Sequence, residues 1–137
     1  MRVLALDYGS ARCGCALSDP TGTIVTPLEP VLRPATKRGF ARLRELVRER
    51  EVQCVLVGLP LALDGRDTDQ TRETRAFARA LAERLDGEVP VELHDERFTT
   101  RIAQRDGGAG AAGRPRTSED SRAAAHLLES WLAARAR

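Results

Sequence analysis

Val3-Leu4-Ala5-Leu6-Asp7-Tyr8-Gly9-Ser10-Ala11-Arg12-Cys13-Gly14-Cys15-Ala16-Leu17-Ser18 reads as strand, tight turn, strand. Four apolar residues run directly into a carboxylate. Cys13, Cys15 and Leu17 then alternate with small residues in the two-residue period of a strand, and Gly9 and Gly14 flank the hairpin. An acid at the end of a buried strand loses hydration, so it must be hydrogen-bonded, paired or bound to a cation. Asp7 is therefore the first candidate for chemistry. An Asx-type turn toward Gly9 would also account for it, but acids recur in comparable places. Asp95-Glu96 closes a short apolar segment, Val89-Pro90-Val91-Glu92-Leu93-His94, and Asp120 stands near the start of the last helix.

Outward from the hairpin, Ile24-Val25-Thr26-Pro27-Leu28 extends it into an antiparallel meander, with Pro27 and Pro30 placing that strand at an edge or ending it early. Thr36 caps a helix whose apolar positions Phe40, Leu43, Leu46 and Val47 share one side. Residues 52–57 form a strand without alternation, as expected when both faces are buried. It ends in a loop at Gly58-Leu59-Pro60. After the Asp64-Gly65 turn, Phe77, Ala78, Leu81, Ala82 and Leu85 mark a longer helix that Gly87 stops. Residues 90–94 supply another strand. This order predicts an α/β fold: a mixed β-sheet, antiparallel meander plus parallel strands, flanked by α-helices. The 137 residues suffice for one domain spanning 1–137. Gly107-Gly108-Ala109-Gly110-Ala111-Ala112-Gly113-Arg114-Pro115-Arg116 cannot hold a regular element and is expected to be a mobile loop, 107–116. With no Gly-Lys-Ser/Thr it is not a phosphate-cradling loop of the Walker type.

Composition narrows the function classes. No apolar run reaches the length of a membrane span, and Met1-Arg2 leads straight into the first strand, so the expected compartment is the cytoplasm, without a membrane partner. Cys13, Cys15 and Cys54 leave one thiol over in any disulfide scheme, and Cys13-x-Cys15 lacks a second pair for zinc; reduced core thiols are expected. The net charge of +2 says little by itself. Its distribution says more: Arg97, Arg101, Arg105, Arg114 and Arg116 stand against a single acid, Asp106, between the second and third acidic positions. Such a segment suits phosphates, although Lys37 is the only lysine and arginine is abundant throughout the chain.

In the last helix, capped by Ser118, Asp120, Ala124, Leu127, Leu128 and Trp131 follow the i, i+4, i+7, i+8, i+11 pattern. Asp120 is thus the inward-facing acid, and Glu119 and Glu129 fall off that stripe. Three acids from three separate elements repel one another unless a cation lies among them. Oxygen-only ligands select Mg²⁺ or Mn²⁺, and two such ions with bound substrate would drive phosphodiester hydrolysis.

The stretch from Asp7 to Asp19, Val57-Gly58-Leu59-Pro60-Leu61 with Asp64-Gly65, Asp95-Glu96-Arg97 with Thr99-Thr100, and Asp120 followed by Ala123-Ala124 together resemble the YqgF/RuvX family. These are RNase H-like nucleases related to Holliday junction resolvases and associated with maturation of the 5′ end of pre-16S ribosomal RNA. The resemblance spans nearly the whole chain, in order. It implies an RNase H-like fold and a metal-dependent endonuclease in which Asp7, Glu96 and Asp120 act as catalytic acids and metal ligands. Asp95 stands beside Glu96 as its alternative. Arg97 is a candidate to contact the scissile phosphate or to hold Glu96, and Arg12 to touch phosphate, joined by Arg101, Arg114 and Arg116. The chain departs from the family at Cys13 and Cys15, where aliphatic residues are usual, and in lacking a lysine ahead of the last acid.

Three substrates or roles follow: processing of pre-16S rRNA, cutting of branched four-way DNA by a homodimer with paired sites, and nucleic-acid binding without turnover. Few aromatic residues leave no stacking platform for single strands. Asp-x-Gly before a hairpin also opens actin-like and sugar-kinase ATPases, but those need a second domain to close over the nucleotide.

Overall fold

The computed structural model describes residues 1–97 and 121–136. Five strands form one sheet: β1 (Val3–Asp7), β2 (Arg12–Ser18), β3 (Val25–Leu32), β4 (Cys54–Leu59) and β5 (Val91–Asp95). They lie in the order β3-β2-β1-β4-β5. β1 pairs antiparallel with β2, and β2 with β3, whereas β4 runs parallel to both β1 and β5. The mixed sheet is the one expected from the sequence. Among the described residues three helices flank it: α1 (Lys37–Glu49), α2 (Asp69–Arg84) and α3 (Arg122–Arg135).

Side-chain parity sorts the core into two layers. Leu4, Leu6, Cys13, Cys15, Leu17, Val55 and Val57 pack under α1 and α2 with Phe40, Leu43, Phe77 and Leu81. Val3, Ala5, Ala16, Cys54 and Leu56 face α3, against Ala124, Leu127, Leu128 and Trp131. β1 and β4 are central and covered on both sides, which explains their unbroken apolar runs. All three cysteines are free and buried. No helix among the described residues is long and apolar enough to cross a membrane.

Local signals account for the helix ends. Thr36 accepts a hydrogen bond from the Gly39 N–H at 3.1 Å and starts α1 as expected. Thr68 and Thr71 form a reciprocal capping box at α2. Asp86 and Gly87, at φ 52° and 74°, carry the left-handed turn that ends it.

Three boundaries differ from the sequence reading. β3 continues through both prolines to Leu32, because it is an edge strand and one side of it owes no hydrogen bonds to the ladder. β4 begins at Cys54 and includes Gly58 and Leu59, which pair with His94 and Asp95 instead of forming a loop. α3 begins at Arg122 with Ser121, not Ser118, at its N-cap. The segment 107–116, with Arg101, Arg114, Arg116 and Asp120, lies outside the described residues.

Candidate active site

The carboxyl ends of the parallel strands β4 and β5 meet the end of β1 on the face that α3 covers. Leu4, Leu6 and Tyr8 belong to the opposite layer, so Asp7 is turned toward the α3 side. Its backbone pairs with Gly14. The turn that follows is tight: a Cβ at Gly9 would lie 2.7 Å from the Arg12 carbonyl oxygen. On the other face Tyr8 anchors the same turn, its ring 4.4 Å from Phe77 and its hydroxyl donating to Glu73 at 3.0 Å.

Parity also separates Asp95 from Glu96. Val91 packs with the α1–α2 layer, so Asp95 shares that side and Glu96 turns toward α3. The Glu96 N–H donates to the Leu59 carbonyl at 3.2 Å, carrying the β4–β5 ladder one residue further. Asp95 is occupied elsewhere. Its carboxylate receives Arg97 Nε at 2.8 Å and Nη2 at 2.6 Å, and the Arg97 backbone N–H at 3.0 Å. Arg97 also donates to the Leu63 carbonyl at 3.0 Å, tying the loop after β4 to the end of β5. Arg97 thus holds Asp95, the neighbour of Glu96.

Gly58 makes room for Glu96. A Cβ built there would overlap Glu96 Oε2 and stand 3.1 Å from Leu127 Cδ2. The carboxylate therefore lies directly over the backbone of a central strand, under α3. A glycine inside a buried strand is a signal of such close approach, although in the sequence Pro60, two residues on, makes the segment read as a loop. Gly58→Ala is expected to push the Glu96 carboxylate out of place. We expect at least about a tenfold increase in the Mn²⁺ needed for half-maximal activity, with only a small change in melting temperature. An unchanged metal requirement would show that the position of Glu96 does not matter.

Electrostatics distinguish the acids as the geometry does. Burial raises the pKa of Asp7. Glu96 is pushed up to about 7, first by burial, then by the negative charge of Asp7, and least by Asp95. Asp95 moves the opposite way, lowered chiefly by its hydrogen bond from Arg97. Two desolvated carboxylates, the charge of Asp7 adding to the cost of ionising Glu96, are groups that could hold a cation. Their all-oxygen chemistry fits a hard divalent ion. Among the described residues no cluster of three such ligands converges; the described part of the site supplies two, and Asp120 lies beyond it. Arg12 opens β2 at the mouth of the same turn, exposed.

The whole chain can be placed by comparison. A family model described as "RuvX: Holliday junction resolvase" matches residues 1–134. A protein of Maridesulfovibrio salexigens named "Putative pre-16S rRNA nuclease" is 39% identical over 97% of this chain and 98% of its own length. One of the same name from Mycobacteroides abscessus is 44% identical over 99% of this chain and 83% of its own. Among solved structures, T. thermophilus RuvC in complex with Holliday junction substrate superposes with a TM-score of 0.64 at 19% identity, covering 99% of this chain and 96% of that one. That likeness establishes the RNase H-like fold. The match over nearly the entire chain places this protein in the RuvX family, and so among nucleases.

Proposed function

We propose that this protein is a divalent-metal-dependent endonuclease that hydrolyses phosphodiester bonds in structured RNA, with processing of the 5′ end of pre-16S rRNA as its task. The observation that supports this most is the half-buried pair Asp7 and Glu96, close enough on the α3 face for the charge of one to raise the pKa of the other, with a glycine beneath Glu96 to admit it. The names of the curated relatives favour RNA as the substrate.

In this reading Asp7 and Glu96, with Asp120 from the chain just before α3, hold Mg²⁺ or Mn²⁺. When bound, the ions supply Lewis-acid stabilisation of the phosphate and a water of lowered pKa. The protein's part is to hold both carboxylates in place; burial disfavours their ionised forms, a cost that a bound cation would offset. Gly58 sets the position of Glu96, the Tyr8 anchor holds the turn after Asp7, and Arg97 withdraws Asp95 from competition. Arg12, Arg97, Arg101, Arg114 and Arg116 surround the acids in sequence or space and supply the positive charge that orients a phosphate backbone.

Cutting a four-way DNA junction is the second reading, favoured by the RuvC likeness in fold. It requires two related sites, and hence a homodimer. Labelled pre-16S leader RNA and a four-way junction, incubated side by side with Mn²⁺, separate the two. Chelator-sensitive cleavage of the RNA alone is the expected result. Symmetric paired nicks in the junction alone would replace it with the resolvase reading, and tight binding without any cleavage would reduce the protein to a binding module.

A further inference from the structure

Ser121 occupies the N-cap position of α3, yet its side chain makes no cap bond there. Serine at that position ordinarily satisfies an orphan N–H of its own helix. Here the hydroxyl donates to the Leu28 carbonyl at 2.5 Å and accepts the Cys15 N–H at 3.1 Å. Cys15 and Leu28 are facing residues of β2 and β3, at the point where the register slips between Cys13 and Cys15. The serine oxygen is thus spliced into the ladder at an irregularity, and the residue has 0% exposure. Gly14, beside Cys15, is the cross-strand partner of Asp7. The start of α3 is therefore fastened to the sheet within one residue of the acid site.

We infer that Ser121 is a positioning residue for the acid site: its hydroxyl fixes the start of α3 on the sheet and holds β2 at Cys15, next to the Gly14 that pairs with Asp7. This rests on the nuclease reading above. A local rule broken at a buried residue, with the side chain committed elsewhere, marks a constraint beyond helix stability. A metal site needs its ligands held by fixed supporting groups.

The fold contains its own control. Ser18 is equally buried, at 1% exposure, and its hydroxyl likewise bridges two backbone groups, accepting the Val3 N–H at 2.8 Å and donating to the Met1 carbonyl at 3.2 Å. It does so at the opposite end of β1 from Asp7. Ser121→Ala and Ser18→Ala therefore remove the same kind of bridge, one near the acids and one far from them. Both are expected to melt lower than wild type without metal. Only Ser121→Ala should need at least about tenfold more Mn²⁺ to reach half of the metal-induced rise in melting temperature. It should also lose at least about tenfold in kcat on RNA, with KM nearly unchanged. Ser121→Thr, which keeps the hydroxyl, should recover the metal requirement. Ser121→Cys keeps the volume with a poorer hydrogen-bonding group and carries the same comparison if the alanine variant does not fold. Equal Mn²⁺ requirements and kcat values in the Ser121 and Ser18 variants would overturn the inference while leaving the nuclease reading intact. A wild-type protein that is neither stabilised by Mn²⁺ nor able to cleave would overturn both.

Discussion

Asp7→Asn should cut no RNA, with cleavage falling by about three orders of magnitude or more, while the variant melts no lower than wild type in the absence of metal. The two halves of this expectation have one cause. Asp7 is a desolvated carboxylate at the end of β1, its pKa raised by burial, and a neutral isostere removes the cost of keeping a charge there. Asparagine forms an Asx turn as readily as aspartate. If Asp7 served only the turn toward Gly9, the substitution would therefore leave cleavage intact. Thermal unfolding in chelator and single-turnover cleavage in Mn²⁺, made on the same preparation, check both halves. A loss of activity that merely tracks a loss of stability would make Asp7 a structural residue.

Glu96 gives the second large effect, through pH. Its ordinary value of 4.5 is raised to about 7 in the folded protein. Between those values the folded chain holds a proton that the unfolded chain has released, so ∂ΔG/∂pH is negative there. The contribution from Glu96 is fullest below 4.5 and is lost as pH rises through about 7. Metal-free protein should thus lose stability from mildly acid to mildly alkaline solution, by on the order of 1 kcal/mol after allowing for solvent screening. Mn²⁺ should reverse the trend, because the ion competes with that proton and binds more tightly as pH rises through about 7. Glu96→Gln should abolish both slopes and be the more stable protein in chelator at alkaline pH. Melting curves for the two proteins across this range, with and without Mn²⁺, decide the matter. A wild type whose metal-free stability rises over the same interval would show that Glu96 is already ionised and held by another partner.

Much of this site could be read from the chain, because Asp7 is announced by the apolar run that precedes it. The central position of residues 54–57 was equally legible, since a strand buried on both faces needs no alternation. The choice between Asp95 and Glu96 was not. It depends on which residue is the last to pair with β4, and the Leu59 to Asp95 pairing that gives the two acids different surroundings is long-range. β3 outran its prolines because edge position, a property of the whole sheet, decides whether a missing N–H matters. Ser121 gave no signal at all: before a helix, serine reads as a cap, and only tertiary structure shows its hydroxyl committed to another pair of strands.

Sheet order also carries a kinetic consequence. β1, β2 and β3 are neighbours both in sequence and in space, so closing that meander requires only short loops. β1 finds β4 through the Val3 to Cys54 pairing, and α3 returns from beyond residue 120 to cover β1 and β2. Contacts that far apart in sequence form late. A growing or half-folded chain therefore carries the hairpin and Asp7 well before Glu96 and the start of α3 arrive beside it. The proposed hydrolytic centre is thus expected to be the last part of the molecule to assemble, and an unfinished copy to be harmless to the nucleic acids around it.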